Sequence, residues 1–176
     1  MSFAFSLVFF GSGCQTATET LNSNVSANSI QPSRTPDAPI KPEQTIPIDV
    51  PKLAGKSPAE LDDFFGAPQE SATLENGGGY RLYKIAGQTK GLAVRFYGGR
   101  AKSFNLISDK PYATSKEAVR QVFNIDVGNS VPGKDAKEPL TEMFRGTFGG
   151  VRFAKLSAKK QADGKGFIFV LAEVSE

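Results

Sequence analysis

The chain has no histidine, no tryptophan and a single cysteine in 176 residues. Without histidine it lacks the side chain best suited to general-base work near neutral pH and the commonest zinc ligand. One cysteine excludes an internal disulfide and any cysteine-rich metal cage. That cysteine, Cys14, also lacks an imidazole to activate it, and a reactive thiol needs a basic or cationic neighbour. No cofactor, no metal and no catalytic residue is therefore expected. Glycine is missing too, from the whole stretch 15–51, which instead contains Pro32, Pro36, Pro39, Pro42, Pro47 and Pro51.

Apolar residues make up 39% of the chain and the formal charge is +3. The charge is uneven. Residues 15–50 hold Arg34 and Lys41 against Glu19, Asp37, Glu43 and Asp49, a net of −2, which leaves +5 on residues 51–176. A basic domain attracts anionic lipid, polysaccharide, nucleic acid or an acidic protein face, and charge alone does not choose among them.

The chain opens MSFAFSLVFFGSGCQ, an uncharged apolar run ending in small residues just before Cys14. The run is too short to span a bilayer, which takes ~20 residues, but has the length of a signal-peptide core. It resembles a bacterial lipoprotein signal, in which small residues precede a cysteine that becomes lipidated. The resemblance implies a membrane lipid anchor through acylated Cys14. Gln15 in the next position, rather than aspartate, favours the outer membrane. There is no basic segment before the apolar run, so the true start is expected upstream. Residues 14–51 then read as a Thr/Asn/Ser- and Pro-rich tether, too poor in apolar surface to offset chain entropy. Its reach as a coil is on the order of 30–40 Å.

A folded domain is expected over 52–176. In GKSPAELDDFFGAP, Ser57 is an N-cap, Pro58 occupies the first helical position and Glu60 completes a capping box. Gly66 followed by Pro68 stops the helix near residue 65. Glycine turns then separate strand-like runs at 69–75, YRLYKIA, GLAVRFY and RAKSFNLIS, which read as an antiparallel meander. Thr114 and Glu117 offer a second capping box. After an irregular stretch at SVPGKDAKEP come further strands at about 142–148, 150–159 and 166–174. GFIFVLAEV is apolar on both faces and belongs at the centre of a sheet. The expected fold class is α+β, with short helices packed on an antiparallel meander and two tandem α-β-β-β units over 52–110 and 111–176.

The capped helix, its Gly-x-Pro exit and the meander behind it resemble the SmpA/OmlA envelope lipoproteins. Their BamE-like fold is shared by tandem β-lactamase-inhibitor proteins. The likeness rests mainly on residues 55–68 and implies an envelope location and protein binding; it carries over no catalytic residue. Gly55-Lys56-Ser57 has the ending of a phosphate-binding loop, but Val50 stands where the first glycine is required. RGTFGGVRF is similar to the basic-aromatic strand of RNA-recognition domains, yet has one residue too many and no aromatic in third place. No nucleic acid partner is expected.

Tyr83, Arg95 and Tyr97 are candidates for an exposed Tyr/Arg strip, and Arg145 and Arg152 for flanking a binding surface, residue types favoured at protein interfaces. Asp62 and Asp63 read as a solvated helix face. Glu142 and Glu173 could approach one another across strands, as two carboxylates must to cleave a glycoside. The reading these residues favour is a non-catalytic lipoprotein module, facing the periplasm, that binds an envelope protein or another envelope component. A secreted tandem-unit inhibitor is the alternative, followed by a carboxylate-based cell-wall hydrolase.

Overall fold

The computed structural model describes residues 46–75 and 77–175. Cys14, the signal and all but the end of the tether lie outside them. The described chain begins with a one-turn helix α1 (Val50–Leu53) and continues into α2 (Pro58–Phe65). Strands β1 (Glu70–Thr73), β2 (Gly79–Tyr83), β3 (Leu92–Tyr97) and β4 (Arg100–Tyr112) follow. Helix α3 (Ser115–Phe123) leads to β5 (Gly133–Lys134), β6 (Thr141–Phe148), β7 (Val151–Lys160) and β8 (Phe167–Val174).

All eight strands join one antiparallel sheet in the order β1-β2-β3-β4-β8-β7-β6-β5. Strands take 43% of the described residues and helices 16%, so the expected α+β class is overturned in favour of a β-rich fold. The helices are short: α1 makes one turn, and α2 and α3 end after two to three. Gly66 (φ 86°) stops α2, and Asn124, in the left-handed conformation, stops α3. The sheet meanwhile gains β5 from the stretch expected to be irregular, and β4 runs on past Ser108 to Tyr112. Each set of strands numbers four.

Alternation along the strands sorts the sheet into two faces. Leu92, Val94 and Phe96 of β3 are buried, as are Phe104 and Leu106 of β4, Leu156 of β7, and Val170 and Ala172 of β8. The three helices cover this face: Leu53 of α1, Leu61 of α2, and Val119 and Val122 of α3 join the same core. Helix α3 packs on β4, β7 and β8. The opposite face carries no helix among the described residues.

The boundary expected at Pro51 moves back to Ile46, the first described residue. Ile48 and Val50 are fully buried, and the Ile48 N–H donates to the Val122 carbonyl at 2.8 Å. Pro51 lies against the β6–β7 turn, where a Cβ built on Gly149 would come within 2.9 Å of its Cγ. That turn has positive φ at both Gly149 and Gly150, the two-residue geometry matching the twist of paired strands.

Candidate binding surface on the open face

Helix α2 is fixed to the sheet by a polar clamp. The Tyr83 hydroxyl donates to Asp62 Oδ1 at 2.9 Å, and Arg81 pairs with Asp62 Oδ2. Arg81 and Tyr83 share a face of β2 because they stand two residues apart. Phe65 stacks on the Tyr83 ring with centroids 4.9 Å apart. Tyr83 is thus fully buried under α2 and is removed from the candidate binding strip. Burial raises the pKa of its hydroxyl, against the opposing effect of the nearby Arg81 guanidinium. Asp62, expected to be solvated, is the acceptor at the centre of this clamp.

The helix start is equally committed. Ser57 Oγ accepts from the Glu60 N–H at 3.3 Å, while the Ser57 N–H donates to Glu60 Oε2 at 2.8 Å. Lys56 Nζ reaches Glu60 Oε1 at 3.1 Å. Those bonds, led by the Ser57 N–H, hold the Glu60 carboxyl down at about 2. Lys56 and the first N–H groups of α2 therefore already face a carboxylate where a phosphate-binding loop would present them to its ligand. At α3 the box is incomplete: Thr114 caps the Glu117 N–H, but Glu117 Oε2 accepts from Ala113 rather than from the cap residue.

Arg95 and Tyr97 stand on the open face of β3, both exposed. Arg95 lies opposite Ser103 and Tyr97 opposite Arg100. Tyr97, Lys102, Ser103, Ala154, Glu173 and Val174 line a shallow hollow of about 230 Å³. Arg152, exposed on β7 opposite Thr147, follows the alternation onto this face two residues from Ala154. Arg145 is exposed at a bulge in β6 and lines a different, open depression with Met143 and Lys134. The fold thus gathers Arg95, Tyr97 and Arg152 toward one end of the sheet, leaves Arg145 a strand further out, and buries Tyr83.

Lys102 belongs to the hollow but escapes sequence reasoning, which also missed that Glu173, read as a possible partner of Glu142, lies there. A register shift between Arg95 and Phe96 breaks the alternation next to Lys102. Glu173 opposes Ser103 across the β4–β8 ladder, a pairing between distant parts of the chain.

Glu142 and Glu173 do not meet. Glu142 points to the helix-covered side, where Ser115 Oγ donates to it, whereas Glu173 lines the hollow on the open side. RGTFGGVRF forms the β6–β7 hairpin, with Phe153 buried and Phe148 stacked beside it at 6.4 Å. Its aromatics therefore support the core instead of offering a stacking platform. Among the described residues no cluster of three or more acidic or cysteine side chains could hold a metal ion, and no helix is long and apolar enough to cross a membrane.

No protein family matches the chain, and no curated protein or solved structure is similar to it.

Proposed function

We propose that the protein is a lipid-anchored module of the bacterial envelope. Its folded domain binds an envelope protein through the open face of the sheet and performs no catalysis. The observation that supports this reading is the one-sided covering of the sheet. Three helices lie over one face, and the other presents Arg95 and Tyr97 beside Arg152 and a shallow hollow. Tyrosine and arginine on a rigid strand offer contact area and charge with little ordering cost, which is what interface anchors require. The sequence supplies the rest of the proposal: an apolar leader, small residues before Cys14, and a polar, proline-rich stretch behind it. The anchor would sit in the outer membrane with the domain in the periplasm.

Two experiments test the two halves. Metabolic labelling with palmitate should mark the wild-type chain and not Cys14→Ser; equal labelling removes the anchor. Cross-linking in the native envelope should recover a discrete neighbour from wild type. Arg95→Glu and Tyr97→Ala should lose that neighbour at unchanged melting temperature. Recovery of the same neighbours from all three chains removes the binding face.

A further inference from the structure

The open face has a second concavity, at the end of the sheet away from Arg95 and Tyr97. Its volume is about 400 Å³, within the range of small-molecule sites. Ile107 of β4 and Phe169 and Leu171 of β8 form the floor. Ladder pairing sets them side by side: Ile107 opposes Phe169, and Asn105 opposes Leu171. Polar side chains are the rule on the solvent face of an antiparallel sheet. They hold that place at Arg95, Ser103 and Glu173, but give way here to three large apolar groups on the two central strands. Ile107 remains 39% exposed, with nothing among the described residues covering it.

The rim is cationic. Lys155, Lys159 and Lys160 of β7 line the groove. Lys155 lies 3.5 Å from Asp135, and Lys159 lies 3.1 Å from Glu138. Lys160 has its ammonium 5.1 Å from the centre of the Phe167 ring and no carboxylate partner among the described residues. Three cations therefore face two carboxylates, which leaves a positive excess above an apolar floor.

The strands beneath offer no edge to which a peptide could add as a further strand. A peptide that adds to a sheet binds through the free N–H and C=O groups of an edge strand. Strands β4, β8 and β7 each have a neighbour on both sides, so the floor offers only side chains. What remains is apolar contact and charge. We propose that this groove binds a single-chain anionic amphiphile of the fatty-acid class, its acyl chain on Ile107, Phe169 and Leu171 and its head group at Lys160 and Lys159. The assignment goes beyond the protein-binding reading and is separable from it, because Arg95 and Tyr97 lie at the other end of the sheet.

The test uses the full-length chain with Cys14→Ser, so that no covalent acyl group competes. Dansyl-undecanoate is titrated below its critical micelle concentration, with dodecanoate and dodecanol as competitors. Saturable binding of one probe per chain is expected. Leu171→Asp should weaken it by about tenfold or more, by placing a carboxylate in the acyl channel. Lys159→Glu combined with Lys160→Glu should weaken it by about fivefold, and dodecanol should compete about fivefold less well than dodecanoate. Arg95→Glu should bind as the parent does. Absence of saturable binding overturns the proposal, as does undiminished affinity in the floor or rim variants or equal competition by the alcohol. If Leu171→Asp fails to fold, as its melting curve would show, Ile107→Asp takes its place at the exposed edge of the same floor. Loss of the cross-linked neighbour in Arg95→Glu alongside retained probe binding would separate the two surfaces.

Discussion

Tyr83 carries a hydroxyl into a fully buried position, and Asp62 is the group that satisfies it. Removing an acceptor from a buried donor costs more than the net value of the bond, because the orphaned group is not returned to water. Asp62→Ala should therefore lower the unfolding free energy by about 1–3 kcal/mol, and Tyr83→Phe by about 1 kcal/mol, read from urea denaturation. The tyrosine also adds an alkaline signature. Its folded pKa is raised above 10.0 by burial, so above that pH the folded chain holds a proton that the unfolded chain has lost. The stability it gives is complete below about pH 10 and declines as pH rises through the folded value. Melting temperature should thus fall more steeply on the alkaline side in wild type than in Tyr83→Phe; parallel curves would refute the assignment. The sequence hid this arrangement for a physical reason. In YRLYKIA the residues Tyr80 and Leu82 alternate with Arg81 and Tyr83, and an arginine ordinarily marks the solvent side. Here the arginine marks the covered side, because a helical carboxylate waits for it there.

Signals that depend on a few consecutive residues were legible at the level of elements. Ser57, Pro58, Glu60 and Gly66 bound α2 over the eight residues it occupies, since caps satisfy backbone groups within one turn. Gly149-Gly150 marks the β6–β7 turn for the same local reason. The segment Ile46–Pro51 was illegible because its prolines match those of a tether, and only tertiary contact reveals that Ile48 and Val50 fill the core. Strand β5 has two residues and no apolar pattern, so no periodicity could announce it. The difference between tether and core can be measured. Ile48→Ala should cost about 2–4 kcal/mol in denaturant unfolding, as a fully buried isoleucine does, where a tether residue would cost almost nothing. A change below about 0.5 kcal/mol would return the segment to the tether.

For the whole molecule, composition and turns announced an antiparallel meander but misjudged its proportions, because counting helices and strands ignores their lengths. The strand β8 could be placed centrally from GFIFVLAEV alone, although only one of its two apolar sides is hidden and Phe169 and Leu171 stand on the open face. Its partner β4 could not, because no local signal encodes which distant strand closes a sheet. The strand order reads the same inward from either edge: four consecutive strands, then four in reverse. Every ladder but one joins neighbours in sequence, and β4–β8 is the exception. The molecule is in this sense two zippers meeting at a single seam, and a chain broken after Gly128 would leave each zipper whole. Fragments ending and beginning there should each aggregate alone, since each would expose β4 or β8 as an apolar edge. Co-refolded in equal amounts, they should recover the soluble, cooperative unfolding transition of the intact chain. Failure to reassemble would mean that the seam does not form without the covalent link through α3.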